Sequence, residues 1–216
     1  MAYIDIDGID VIVDDNEKYF QVNDISGSDL SKIWERIKTE YVSYEKWLCY
    51  HNYDIIPCKL LDKIGAVLED DSIEARLTAD NCVVSDMRGV IRVLEDKFDD
   101  FAEYHTKCNP QCGAKSERIK RDFSRWGIFA LLENNIVTDY LIIFTGHPVA
   151  EIFCIEASDS DKCKALISFA CKYAFINGNT EILYMADENT ISHKAALSIG
   201  FVNTGIYKGY KIEHQK

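Results

Sequence analysis

Three stretches of this 216-residue chain gather side chains that could do chemistry. In Val149-Ala150-Glu151-Ile152-Phe153-Cys154-Ile155-Glu156 a carboxylate sits inside an apolar run with strand-like alternation. Alternation predicts Glu151 on one face with Phe153 and Ile155, and Glu156 on the other. A carboxyl group on a largely apolar face has a raised pKa, which suits a general base near neutral pH. The plainer reading is a solvated Glu151 at the start of the strand. The second stretch, Ser158-Asp159-Ser160-Asp161-Lys162-Cys163-Lys164, precedes a helical pattern. Short oxygen-bearing side chains there read as a helix N-cap. The third is His105, Cys108 and Cys112, whose spacing would suit a metal but which lacks an evident fourth ligand. The expectation is no metal and a turn around Asn109-Pro110.

These residues need a scaffold, and residues 74–212 read as one α/β unit. Glu74 to Leu77 is strand-like. Asp86 is expected to cap a helix carrying Met87, Val90, Ile91, Leu94, Phe98 and Phe101 on one face. Asn109 to Ser124 is polar and reads as a loop with a short basic helix. Gly127 to Glu133 and Val137 to Thr145 form a hairpin through Asn134-Asn135. Val149 to Glu156 follows as a strand. Cys163 to Phe175 follows as a helix with Leu166, Ile167, Ala170, Tyr173 and Ala174 inward. Thr180 to Met185 is a strand, then comes a short helix, and Phe201 to Ile212 closes the unit.

The bulk numbers narrow the partners. Net charge is −12, which disfavours nucleic acid and anionic membranes, since both require phosphate neutralisation. It mildly favours a cationic partner. No run of about 18 apolar residues predicts a membrane span. Met1 to Asp15 is acidic and alternating, unlike a signal peptide, so the expected location is cytoplasmic. The eight cysteines are then expected to be reduced, small and hydrophobic.

The short helix carries the most specific signal. Asn189 is placed to cap it, Ile191, Ala195 and Ile199 give it an apolar stripe, and Gly200-Phe201 ends it. This strand, Asn-capped helix, Gly-Phe, strand order resembles the C-terminal motif of the GNAT N-acetyltransferase superfamily. Ser192, three residues after Asn189, is similar to the ribosomal-protein alanine acetyltransferase branch. The order strand, helix, three strands, helix, strand, helix, strand resembles GNAT over about two-thirds of the chain. The resemblance implies an α/β (α+β type) fold: a mixed, mostly antiparallel central sheet flanked by helices, with two adjacent strands splayed to admit CoA.

It also implies acyl transfer from acetyl-CoA, as co-substrate, to a small-molecule or peptide amine. Backbone amides of the central strand, around Phe153, Cys154 and Ile155, would polarise the thioester carbonyl. Ala150-Glu151-Ile152 resembles the Ala-Glu-Ile of the histone-acetyltransferase branch, whose Glu is the general base. The usual general-acid Tyr, seven residues after the motif Asn, is Ala196 here; Ser192, Tyr207 or Tyr210 are substitutes that spacing does not separate. The phosphate loop departs further. Ser158 stands for the family's basic residue, and Asp161 and Cys163 stand for its glycines. Ser158, Ser160, Asp161, Lys162, Cys163 and Lys164, with Asn189 and Ser192, are the expected CoA contacts. The missing glycines and Tyr support an alternative, a catalytically inactive GNAT fold serving as a binding or scaffold protein.

Residues 1–73 lie outside a minimal GNAT domain and are expected to form a small α/β extension. Asp54 to Val67 can be laid on Asn189 to Val202, with Ile56, Lys59, Ile64, Gly65 and Val67 matching. That echo would make the segment a half-GNAT remnant. The other reading is an unrelated helical extension built on Leu30 to Leu48.

Overall fold

The computed structural model describes residues 2–110 and 112–212. The chain divides into two compact units, Met1–Ile73 with Gly205–Lys216, and Glu74–Thr204.

The first unit begins with strands β1 (Ala2–Ile6), β2 (Ile9–Asp14) and β3 (Tyr19–Asn23). Helix α1 (Gly27–Glu40) is capped by Ser26, whose side chain accepts from the Asp29 amide. Strand β4 (Glu45–Tyr50), helix α2 (Cys58–Ile64) and strand β5 (Ala66–Thr78) follow. β3 pairs antiparallel with β2 and parallel with β4. Ile33, Ile37 and Leu48 are fully buried in this unit's core, with Trp34 and Tyr41 packed against it. The segment 30–48 is thus a helix followed by a strand, not one helix.

The second unit continues with β6 (Ile91–Arg92), α3 (Phe98–Cys108), α4 (Ser116–Arg121), β7 (Trp126–Glu133), β8 (Ile136–Phe144) and β9 (Val149–Glu156). It ends with α5 (Ser160–Ile176), β10 (Glu181–Ala186), α6 (Ile191–Ile199) and the start of β11 (Val202–Ile212). Its strand order is β5-β10-β9-β8-β7-β6. The β7–β8 turn holds Asn134 and Asn135 at φ 53° and 64°, the pair of left-handed residues that a tight hairpin turn demands. β9 and β10 are parallel, so the chain must cross between them, and α5 is that crossover. Leu166, Ile167, Ala170 and Ala174 bury its inner face against the sheet, while Tyr173 is only partly covered and stacks under Arg92 at 4.6 Å.

The helix expected from Asp86 is absent. Asp86 closes a turn instead, accepting from the Arg88 amide at 3.0 Å, and Gly89 is left-handed at φ 83°. Ile91 and Arg92 pair with Ala130 and Phe129 as an edge strand, and the helix starts only at Phe98. The β-branched run Val90-Ile91, closed by Val93 after a glycine, favours the pleated sheet over a helix.

At the short motif helix the cap is Thr190, not Asn189. Thr190 is extended and its hydroxyl accepts from the His193 amide at 3.2 Å, while Asn189 sits left-handed at φ 65°. Gly200 ends the helix at φ 109°, where a Cβ would stand 2.0 Å from the Asn81 carbonyl oxygen. Only glycine satisfies both the dihedral and the contact.

Candidate active site

β9 and β10 are paired from Val149↔Glu181 to Ile152↔Tyr184, and there the ladder stops. β9 runs on through Phe153 to Glu156 and β10 through Met185 and Ala186. Beyond Ile152 the β10 side of β9 therefore offers backbone that is not used in the ladder. This opening is the central feature of the Glu74–Thr204 unit.

β9 also carries an irregularity that alternation does not foresee. Ile142 of β8 faces Cys154, but the next residue, Ile143, faces Ile152. Phe153 is the extra residue of a β-bulge, and every side chain past it changes face. Ile155 joins Ile152 in the core beneath α5, whereas Cys154 joins Tyr140, Ile142 and Phe144 on the α3 and α4 side. Glu156 lies on that side too, where the Asn109 amide donates to it at 2.8 Å. The expected grouping of Glu151 with Ile155, and of Glu156 opposite, is thus reversed.

Glu151 is half-buried, opposite Phe144 in the ladder. Burial raises its pKa to about 7, against a smaller opposing effect of the Arg118 charge. Arg118 lies over the rings of Trp126 and Phe153 at 5.5 and 5.4 Å, and those two rings meet edge to face at 5.2 Å. A carboxyl group in apolar company that titrates near neutrality can take a proton from an ammonium acceptor.

On β10, Tyr184 stands at the last rung and is nearly buried. Burial pushes its phenol up to about 12, with a counteracting hydrogen bond to Ser192. Sequence reasoning missed Tyr184. The available signal was its place on the strand beside the opening rather than on the following helix. Of the other candidates, Ser192 also meets the Thr190 hydroxyl at 3.1 Å. Tyr207 donates to the Cys49 thiol at 3.0 Å and Tyr210 packs on Tyr50, both within the first unit. Asn189 contributes through its backbone, donating to His193 Nδ1 at 3.2 Å.

The loop into α5 is closed upon itself. Asp159 caps the helix and accepts from the amides of Asp161 and Lys162, both at 2.9 Å. The Ser158 amide donates to buried Asp139 at 2.6 Å. Lys162 Nζ donates to Asp139, Glu133 and the Ser158 hydroxyl, each at 3.0 Å. Burial works against charge on Asp139, but these hydrogen bonds prevail and hold its pKa down to about 2. Lys164 lies 3.5 Å from Asp161, whose side chain is almost fully exposed. Ser160 is the first residue of α5, and its exposed side chain lies outside the core. Cys163 does not crowd the loop: its side chain is fully buried in the core under α5. The amides of Ser158, Asp161 and Lys162 are thus already committed to the carboxylates that hold them.

A cavity of about 530 Å³ lies beside the first turn of α5, between Arg88, Leu131, Thr138 and Lys162. It includes no β9 residue and is separate from Glu151.

The metal reading of the cysteine stretch is not supported by geometry. Among the described residues no group of three or more His, Cys, Asp or Glu converges as a ligand set. His105 spends both ring nitrogens on the Tyr140 hydroxyl at 2.9 Å and the Ala114 carbonyl at 3.0 Å. Among the described residues no helix is long and apolar enough to cross a membrane.

No family model and no curated protein matches the chain. Solved structures do. A GCN5-related N-acetyltransferase from Kribbella flavida superposes with a TM-score of 0.71 at 9% identity, over 98% of this chain and 89% of that one. One from Sphaerobacter thermophilus gives 0.66 at 12% identity, over 96% and 76%. A tandem GNAT protein from the clavulanic acid biosynthesis pathway, without AcCoA, gives 0.55 at 11% identity, over 96% and 79%. With its mixed, mostly antiparallel sheet, its flanking helices and the parallel pair that parts after Ile152 and Tyr184, this chain has the GNAT fold.

Proposed function

We propose that the Glu74–Thr204 unit transfers an acyl group, acetyl in the simplest case, from a CoA thioester to an amine. The observation that carries this reading is the opening between β9 and β10, bordered by a β-bulge and by a carboxyl group that titrates near 7. The thioester lies along the unpaired edge of β9, where amides of the Phe153–Ile155 segment polarise its carbonyl. Glu151 takes the proton of the acceptor ammonium. The amine nitrogen forms the new bond to the carbonyl carbon, and the C–S bond breaks. Tyr184, protonated at every physiological pH, hands its proton to the departing thiolate. An overall charge of −12 favours a cationic acceptor.

The closed loop before α5 bears on affinity. A pyrophosphate gains most when free amides at a helix N-terminus await it. Here Asp159 and Asp139 already occupy them, so acetyl-CoA binds more weakly than is usual for the fold. The same observation favours the second reading, a GNAT-fold binding or scaffold protein without turnover. Calorimetric titration with acetyl-CoA, followed by product detection over a panel of amines, separates the two. The enzyme reading expects weak but saturable binding, and a Glu151→Gln variant that keeps this affinity and loses turnover, most steeply at lower pH. No binding of acetyl-CoA at millimolar concentration would leave only the second reading.

Residues 1–73 fit the role of a degenerate half-repeat of the same unit. The element order β1-β2-β3-α1-β4-α2-β5 is that of β7-β8-β9-α5-β10-α6-β11. In both series the third and fourth strands are parallel, and the second helix ends on a left-handed glycine, Gly65 or Gly200. The tandem GNAT protein among the structural neighbours supports the idea. β3 and β4 stay paired to Asn23↔Cys49, and the Asp24 amide extends the closure to the Cys49 carbonyl at 2.8 Å. β3 and β4 therefore show no equivalent opening.

A further inference from the structure

Beside the bulge, on the α3 side of β9, a cluster of reactive groups has no task in acyl transfer. Cys112 follows the Asn109-Pro110 turn, and its thiol lies 3.9 Å from the Phe153 carbonyl. Cys154 is the next residue of β9; both thiols are buried in one cluster, and each is the largest influence on the other's titration. Cys154 also receives a hydrogen bond from Asn109 at 3.2 Å and lies 3.8 Å from the Tyr140 hydroxyl. His105 of α3 bonds that same hydroxyl, and its charge acts on Cys112.

We propose that Cys112 and Cys154 form a dithiol that is oxidised by hydroperoxides to an intramolecular disulfide, with Cys112 as the attacking thiol and Cys154 as the resolving one. The polarity follows from what each sulfur touches. Cys112 receives a hydrogen bond from the Ala114 amide at 3.4 Å and has Cys154 and His105 as neighbours that act on it. Cys154 is the largest influence; together with His105 and the Ala114 amide it outweighs burial and holds the Cys112 thiol well below the usual thiol range. Burial opposes charge on His105, but the Cys112 sulfur beside it and the Ala114 carbonyl prevail and raise its pKa. Both ring nitrogens face acceptor oxygens, as an imidazolium requires. Cys154 is pushed the other way, first by Cys112 and then by burial, so it stays a thiol. The remaining groups facing Cys112 are Glu156 of β9 and Tyr140 of β8, whose pKa values burial raises.

The chemistry balances without a further reactant. The Cys112 thiolate attacks one oxygen of ROOH, the O–O bond breaks, and ROH leaves with the proton held by His105. Cys112 is now a sulfenic acid. The Cys154 sulfur attacks the Cys112 sulfur, the S–O bond breaks, and the Cys154 proton departs with the hydroxyl group as water. Two thiols and ROOH have become one disulfide, ROH and water. The bond ties the Asn109-Pro110 turn to β9 one residue past the bulge.

The test uses the reduced full-length chain and hydrogen peroxide, read by intact mass and peptide mapping. The expected product has lost two hydrogens and links the Cys112 and Cys154 peptides. Cys154→Ser is expected to stop at a sulfenic acid on Cys112, trapped by a dimedone-type reagent. Cys112→Ser is expected to leave Cys154 reduced. Between pH 6 and 8 the rate at Cys112 should be nearly flat, while a free-cysteine peptide reacts about tenfold faster per pH unit. Oxidation of other cysteines with no 112–154 link, or a rate at Cys112 that climbs with pH like the peptide, overturns the proposal. Mapping the wild-type crosslink decides the matter even where a variant fails to fold. None of these readouts involves CoA or an amine, so the result stands apart from the acyl-transfer reading.

Discussion

Replacing Glu151 by Gln should change how stability depends on pH, and by an amount the structure specifies. The carboxyl group titrates at an ordinary value of 4.5 in the unfolded chain and near 7 in the folded one, because folding removes it from water. A raised carboxyl pKa means that the folded state prefers the neutral form. The associated stability is fully present below pH 4.5 and is lost as pH rises through about 7. At 1.36 kcal/mol per pH unit, the loss amounts to about 3 kcal/mol between pH 4.5 and pH 8. Gln cannot ionise, so the variant lacks this loss while keeping the shape of the side chain. Urea denaturation of both proteins at several pH values between 4.5 and 8 measures the difference of differences and cancels every other titrating group. The variant should gain on the wild type steadily with pH, most steeply between 5 and 7. Parallel stability curves would show that Glu151 is solvated in the folded protein. They would also remove the physical basis for assigning it the role of a base near neutrality.

Two other substitutions test the scaffold around the opening. Asp139→Asn removes the charge that holds Ser158 and Lys162; because the Asp139 pKa falls from 3.8 to about 2, the wild type should be more stable by about 2 kcal/mol at pH 7, an advantage lost as pH drops through 4 toward 2. The same variant frees Lys162 from one partner, so acetyl-CoA titration should show tighter binding, and unchanged or weaker binding would speak against a closed phosphate loop. Gly200→Ala puts a methyl group 2.0 Å from the Asn81 carbonyl oxygen at a left-handed dihedral, which should cost about 3 kcal/mol or more in denaturant titration; an unchanged midpoint would contradict the packing described for that turn.

What the sequence made legible was mostly local. Asn134-Asn135 between two apolar runs specifies a tight hairpin whatever surrounds it, and Gly200 after a helical stripe specifies a left-handed stop. The adjacency of β9 and β10 followed from chain order, because a strand–helix–strand passage favours parallel neighbours. The misreadings arose where distant residues decide. Asp86 to Phe101 carries apolar residues at helical spacing, yet the free edge of β7 recruits Ile91 and Arg92 into the sheet. The bulge at Phe153 has no composition of its own: it appears only when β9 is laid against β8, and it sends Ile155 and Glu156 to unexpected faces. Nor does anything near residue 158 announce that Asp139, nineteen positions earlier, will take its amide.

That last contact alters the meaning of the loop. In the sequence, Asp161 and Cys163 stand where the family has glycines. In the structure Cys163 is core and Asp161 points to solvent, so neither side chain is the main obstacle. On the proposed acyl-transfer reading the obstacle is that three amides of the loop, those of Ser158, Asp161 and Lys162, are already satisfied by carboxylates. A satisfied donor gives a ligand only the difference between two hydrogen bonds, and here the bond to be broken is charge-assisted on the acceptor side. On the proposed acyl-transfer reading, affinity then comes from the thioester end, where the unpaired edge of β9 is bordered by Glu151 on one strand and Tyr184 on the other. A site of that kind would recognise the reacting group more than the nucleotide handle.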